Sequence, residues 1–508
     1  MVASLIAAQI ASCGGGGSSG STSSLPPPSI ASLPAVQLSA TSPFTAGCAG
    51  TAPSGRLYVN AEVEPTAAVN PINPTNIVVA WQQDRWSDGG AQGIVTAASF
   101  DTGHTWTRAI PSFSRCAGGS AANGGDYARA SDPWLTFAPD GTAYLLSLTF
   151  TGNALAAGST TAMLVARSAD GGATWSGPIA LIRDTVNFFN DKGSITADRF
   201  DSRYVYAVWD RLVANNSGST FFARTVDGGA SWDVAHVIYD PGPNNQTIGN
   251  VLLSLPGGVL LVIFTELDTA PTGVTGVIKV MRSTDHGGSW SAPALIAAEL
   301  PVGTRDPSTG TPVRDGSDLP SAAIDRSGTV YIVWQDSRFS NGQRDAIVLS
   351  SSLDKGTTWS QPVRVNGGPA AAAFVPCVAV RDDGLVGVTY YDFRNNAPGR
   401  RAFTADYWLA TSLDGITWHE THVNGPFSLS NAPFAEGLFL GDYQALVSSG
   451  SDLLPVFAIS GAAPANPSDL FVAFGSPAAL AAVAAQAAPQ ASVNFPMVPH
   501  DGRRGTRR

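Results

Sequence analysis

The chain has 508 residues, 44% hydrophobic and only 13% charged, with a formal net charge of −10. Such a length builds several compact domains or one large repeat array, and the hydrophobic content excludes a disordered chain. The acidic balance disfavours polyanions, so nucleic acid is not an expected partner.

In chain order, residues 1–13 (MVASLIAAQIASC) form an apolar segment too short to span a bilayer. Its end, Ile10-Ala11-Ser12-Cys13, resembles a bacterial lipoprotein signal, which implies lipidation of Cys13. A signal peptide starts with a basic n-region, and this segment has no Lys or Arg, a departure that a misplaced start codon explains. Residues 14–55 are rich in Gly, Ser and Pro and read as a flexible tether. The expectation is an exported lipoprotein at the outer membrane or cell surface, with a periplasmic or secreted protein as the alternative. Membrane contact is expected only through the N-terminal lipid.

Residues 56–477 repeat one plan. An octapeptide of the form Ser/Thr-x-Asp-x-Gly-x-Ser/Thr-Trp recurs at Ser99–Trp106, Ser168–Trp175, Thr225–Trp232, Ser283–Trp290 and Ser352–Trp359, with a shortened copy at Ser412–Trp418. Its aspartates, Asp101, Asp170, Asp227, Asp285, Asp354 and Asp414, stand 57 to 69 residues apart, a period that signals a repeat architecture. The second unit shows the plan. Strands at Asp132–Pro139, Thr142–Phe150 and Thr161–Ser168 are joined by turns, and a fourth strand follows Trp175. Four antiparallel strands per unit, repeated radially, predict an all-β fold, a β-propeller. Strand counting gives seven units, or six if the segment after Trp418 only closes the ring, and seven is preferred. Residues 478–508, Ala-rich and then basic, read as a disordered tail.

Four cysteines are too few for a disulfide framework, although Cys48 and Cys116 could pair in an oxidising compartment. No cysteine pair has metal-ligand spacing and the six histidines make no zinc motif, so neither metal nor other cofactor is expected.

The recurring octapeptide is the Asp-box, or bacterial neuraminidase repeat, and the chain resembles the sialidase superfamily over residues 56–477. In physical terms the motif is a turn. The Asp carboxylate accepts backbone N–H bonds, Gly takes a positive φ, and Trp packs between units. Function must then sit elsewhere. In an up-and-down unit the Asp-box follows strand three, so the start of strand one and the end of strand two lie on the opposite face. Those places carry Trp81-x-x-Asp84-Arg85, Trp209-Asp210-Arg211, Trp334-x-Asp336-x-Arg338 and Tyr390-Tyr391-Asp392-x-Arg394. They also carry Glu62 or Glu64, Asp132, Asp191-Lys192, Glu266, Asp318 and Asp442-Tyr443. Asp–Arg pairs around a ring also read as inter-unit salt bridges that set register. An arginine cluster suits an acidic sugar, because guanidinium binds carboxylate through two parallel bonds.

The resemblance implies an arginine triad for a substrate carboxylate, a tyrosine nucleophile assisted by a glutamate, and an aspartate as acid/base. Carried onto this chain, the substrate-binding candidates are Arg85, Arg338 and Arg394, with Arg211 in reserve, beside Trp81, Trp209 and Trp334. Asp132, Asp191 or Asp318 is the expected acid/base, and Tyr391 or Tyr443 with Glu266 the expected nucleophile pair. The family's early Arg-Ile-Pro motif is absent, and Glu62-Val63-Glu64-Pro65 stands at the nearest place. The expectation is an exported monomeric glycoside hydrolase of exo-α-sialidase type acting on terminal acidic sugars of glycans. A non-catalytic surface propeller that binds glycans or proteins is the alternative, and a polysaccharide lyase on the same scaffold is a third reading.

Overall fold

The computed structural model describes residues 32–50, 54–214, 217–271, 273–368, 370–396 and 403–474. Cys13, residues 1–13 and the tail 478–508 lie outside the described residues, as does the first part of the expected tether.

Among the described residues the strand ladders fall into seven successive antiparallel units, called blades here. Their first strands begin at Leu57, Arg129, Phe189, Asn245, Ser321, Ala373 and Ala445. Each first strand touches that of the next blade, and the strand Ala445–Ser449 touches Leu57–Val69, so the ring closes. The inner strands are buried over most of their length because neighbouring blades cover both their faces. Ile77–Trp86, the second strand of blade 1, is buried at every position. Outer fourth strands such as His236–Tyr239 are exposed or half-buried.

The tether expected over residues 14–55 is partly structural. Ala35–Gln37 pairs antiparallel with Asn466–Ala473 and supplies the fourth strand of blade 7, so the two ends of the chain share one blade. Leu38 is 1% exposed in the core shared by blades 1, 6 and 7, and its N–H donates to Leu470 O at 2.8 Å. Cys48 and Cys116 form a disulfide that ties this segment to the loop before blade 2.

The Asp-boxes are turns. In the first, Asp101 accepts bonds from Ser99 Oγ at 2.8 Å, Thr105 N at 2.9 Å and Thr105 Oγ1 at 2.6 Å, and Gly103 N donates to Ser99 Oγ at 2.8 Å. These donors hold the Asp101 carboxyl down at about 2. Gly103 has φ +91°, which a side chain would strain. Trp175 of the second box donates to Thr96 Oγ1 of blade 1 at 3.0 Å, so the box tryptophan does bridge blades.

If the N-terminal strand closes the ring, Leu38→Ala costs about 2–4 kcal/mol in urea unfolding, as buried leucines do. A cost below about 1 kcal/mol would show that the segment lies outside the cooperative core.

Candidate active site

The first strands of blades 1, 2, 3, 4 and 6 share one irregularity. One extra residue interrupts the ladder between Val63 and Thr66, Ser131 and Trp134, Asp191 and Ser194, Ile248 and Val251, and Phe374 and Cys377. The bulged residues Glu64, Asp132, Lys192, Gly249 and Val375 all have positive φ, from 40° to 67°. Such bulges re-aim side chains and are enriched beside active sites. In blades 2, 3, 4 and 6 they lie in the first half of the first strand and in blade 1 just past its middle, on the face opposite the Asp-boxes.

Three of these residues build an ion cluster at the axis. Lys192 Nζ lies 2.8 Å from Asp442 Oδ2, 3.4 Å from Glu64 Oε1 and 3.5 Å from Asp132 Oδ1. Arg314 grips Asp442 bidentately, Nε to Oδ1 at 2.8 Å and Nη2 to Oδ2 at 2.5 Å. Arg314 reaches the axis from a small three-stranded sheet, Thr304–Arg305, Pro312–Arg314 and Leu438–Phe439. Two connections build that sheet, one between blades 4 and 5 and one between blades 6 and 7. Phe439 has the Arg85 guanidinium 5.0 Å and the Arg314 guanidinium 4.8 Å from its ring centre.

The charges sort themselves by environment. Burial pushes the Glu64 carboxyl up to about 8; Lys192 opposes this, while Asp132 and Asp442 add to it. Burial also works against charge on Asp442 and Asp132. Arg314 and Lys192 nonetheless hold Asp442 well below the usual range, and Lys192 leads in holding Asp132 below it. At neutral pH, therefore, Glu64 is protonated, Asp132 and Asp442 are ionised, and two carboxylates face the cations Lys192 and Arg314. Burial pushes Asp191 up to about 6, with Asp132 adding to it, and pushes Asp318 up to about 6, with Asp315 and Asp442 adding to it. Asp318 is half-buried and its carboxyl accepts no hydrogen bond among the described residues.

Tyr443 completes the mouth. Its hydroxyl donates to Pro133 O at 3.3 Å, its ring centre lies 5.7 Å from Lys192 Nζ, and Trp134 packs against it. Below the mouth a cavity of 230 Å³ runs along the axis between the first strands. Among the described residues no group of three His, Cys, Asp or Glu side chains is placed to hold a metal ion.

Of the residues expected from sequence, Asp132, Asp191, Asp318, Tyr443 and Arg85 come to this mouth. Arg85 is buried there, with Nη1 donating to Gly90 O at 2.8 Å and Nε unpartnered. The others are committed elsewhere. Arg338 closes on Asp336, with Nε to Oδ1 at 2.8 Å and Nη2 to Oδ2 at 2.7 Å. Arg394 closes on Asp392 at 2.5 Å and Glu420 at 2.7 Å. Arg211 closes on Asp184 at 2.6 Å and lies 3.4 Å from the centre of the Phe188 ring. These three therefore do not converge on one open pocket.

The tryptophans Trp81, Trp209 and Trp334 are fully buried and cannot meet a solute. Trp334 instead donates to the same Asp336 that Arg338 holds, at 3.0 Å. Tyr391 is core, packed on Phe374 and Tyr407 and donating to Ala458 O at 2.6 Å. Glu266 is saturated by Tyr239 Oη and Lys279 Nζ, each at 2.6 Å. Sequence reasoning placed Lys192 only as a neighbour of Asp191 and missed Arg314. The signal for Arg314 was the long stretch between Glu299 and Ser321, since long connections inside compact repeats are commonly functional.

No family model matches the chain, and no curated protein matches it. The solved structures it resembles include a Hadza microbial sialidase, at 19% identity over 66% of this chain and 64% of that one, TM-score 0.44. A variant of the NanB sialidase of Streptococcus pneumoniae matches at 12% identity over 86% of this chain and 70% of that one, TM-score 0.43. A GH93 α-L-arabinofuranosidase of Fusarium graminearum, in complex with arabinobiose, matches at 12% identity over 66% and 91%, TM-score 0.42. The chain thus spans less than two thirds of the length of the first of these. All are β-propeller enzymes. At such distances activity does not transfer between chains.

Two variants test the cluster. Lys192→Met leaves buried carboxylates uncompensated and costs about 3–5 kcal/mol at neutral pH, shrinking in acid as they take up protons; a cost below about 1 kcal/mol in urea unfolding contradicts the cluster. Asp318 binds its proton more tightly in the folded chain than in the unfolded one. Its penalty is thus absent below 3.8 and complete above about 6. Asp318→Asn is accordingly more stable than the parent by about 3 kcal/mol at neutral pH and nearly equal to it near pH 3.5, and a constant difference across that range would refute the assigned shift.

Proposed function

We propose that the chain is an exported glycoside hydrolase whose chemistry occurs at the axial mouth, with terminal acidic sugars as substrates. The observation that carries the reading is the split among neighbouring carboxyls: Asp318 and Asp191 at about 6, Asp132 and Asp442 ionised. Pairs of carboxyls whose environments push their pKa values apart are how glycosidases separate the acid from the charge-stabilising group. Asp318, whose carboxyl accepts no hydrogen bond among the described residues, is the acid that protonates the leaving oxygen. Asp132, kept ionised by Lys192, faces the positive charge that develops at the anomeric carbon. Arg314 spends Nε and Nη2 on Asp442, which leaves Nη1 for a sugar carboxylate. The Cys48–Cys116 disulfide supports an oxidising, exported setting.

A second reading, a non-catalytic glycan-binding propeller, draws on the closure of Arg211, Arg338 and Arg394 onto their own carboxylates. A panel of fluorogenic sialosides and uronides separates the two. The hydrolase reading expects turnover that falls as pH rises through about 6, and at least about a 100-fold loss of kcat in Asp318→Asn. Retained glycan binding with no turnover on any member establishes the second reading.

A further inference from the structure

The cavity behind the mouth is larger than solvent needs. Its 230 Å³ exceeds the roughly 150 Å³ apolar cavity known to admit benzene. Its deep wall is small and apolar, with Ala67, Val251, Ala322, Val378, Ala445 and Leu446 contributed by first strands of five blades. Polar side chains in the wall spend their bonds on the fold. Ser321 Oγ accepts from Val378 N at 3.1 Å, Gln444 bonds Leu440 O at 3.0 Å and Ala458 N at 2.8 Å, and Asn250 Nδ2 donates to Asp210. Little is left to hold an ordered water, which needs two to four polar partners. At the upper end stand two aromatic rings, Trp134 and Tyr443, with centres 5.7 Å apart. Charge is confined to the same end, where Asp132 and Lys192 form the rim and Asp318 directly precedes the lining residue Leu319. A flat apolar ring with one oxygen at its upper edge fits this distribution better than a sugar or an alkyl chain, because the rim aromatics offer ring edges and faces.

We propose that the axial cavity is the subsite for a phenolic leaving group, so that the substrates are acidic sugars carried on a phenol. The ring lies along the propeller axis and the glycosidic oxygen sits at the rim. This rests on the hydrolase reading. In the reaction the bond between the anomeric carbon and the phenolic oxygen breaks and Asp318 gives that oxygen its proton. Water adds hydroxide to the anomeric carbon and returns a proton to the carboxylate. The products are a free sugar and a phenol, and the phenol leaves along the cavity.

The test uses phenol and 4-methylphenol as binding probes, independent of turnover. Cys377 lines the cavity and is the free cysteine among the described residues, so its alkylation by iodoacetamide, located by mass spectrometry, reports occupancy. Expected are calorimetric binding of both phenols, slower Cys377 alkylation in their presence, and a Kd at least about tenfold weaker in Ala322→Phe, which fills the cavity. The phenyl glycoside should have a lower KM than the methyl glycoside of the same sugar, and Ala322→Phe should raise the first KM alone. Phenol binding and Cys377 protection with no glycoside turned over support the cavity assignment and overturn the hydrolase reading. Equal KM for phenyl and methyl glycosides, with no phenol binding and no protection of Cys377, overturns the cavity assignment while the hydrolase reading stands. Should Ala322→Phe fail to fold, protection of Cys377 in the parent chain decides alone.

Discussion

Lys192 is the contact on which the axis depends. It stands on blade 3 and its ammonium meets carboxylates from blade 1, blade 2 and the start of blade 7. A buried ammonium survives only where carboxylates compensate it; two bulged first strands provide Glu64 and Asp132, and the residues before the strand Ala445–Ser449 provide Asp442. Glu64, Asp132 and Lys192 each hold a positive φ that a non-glycine residue adopts at a cost of about 1–3 kcal/mol. The same bulge in blades 4 and 6 carries Gly249 and Val375, which bring no charge. The fold therefore repeats the backbone device around the ring, and the sequence decides which blades use it for ions.

Buried ion clusters of this kind are weak sources of stability, because desolvation consumes most of the attraction. Their effect here is on protonation. With Glu64 neutral and Asp132 and Asp442 ionised, the cluster is close to charge balance before Asp191 and Asp318 titrate. Those two carboxyls are left to change state in the mildly acidic range, at an open mouth with an apolar cavity behind it. The Asp-boxes on the other face show the reverse arrangement. Asp101 is half-buried and Asp227, Asp285 and Asp354 are exposed; all four are saturated with donors and held at about 2, so they stay ionised and inert across the working range.

Much of this was legible in the sequence. The Asp-box period set the phase of the blades, and strand alternation placed the charged cluster on the face away from the boxes. Asp132, Asp191, Asp318 and Tyr443 follow from that reasoning. Of the arginines only Arg85 did. Trp334-x-Asp336-x-Arg338 reads as a ligand motif, yet Trp334 shares a strand face with Asp336 and Arg338 opens the 3-10 turn that follows the strand, so the indole N–H and the guanidinium both close on Asp336. Blade 6 repeats the device with Arg394 and Trp408 on Asp392. Arg314 was marked only by the length of its connection, because nothing in its neighbourhood repeats. It reaches the axis through strand pairing of Val313 and Arg314 with Leu438 and Phe439, a contact between connections more than a hundred residues apart. The N-terminal strand Ala35–Gln37 was hidden for a different reason. Its neighbours have the composition of a tether, and only pairing with the distant strand Asn466–Ala473 makes it structure.

The most direct measurement is a crystal structure of the Asp318→Asn chain soaked with an unhydrolysed aryl glycoside of an acidic sugar. The account predicts the sugar at the axial mouth against Arg314, Asp132 and Tyr443, with its ring in the cavity bounded by Ala322 and Val378. A glycoside seated on the Asp-box face, or an empty axial mouth at saturating ligand, would contradict it.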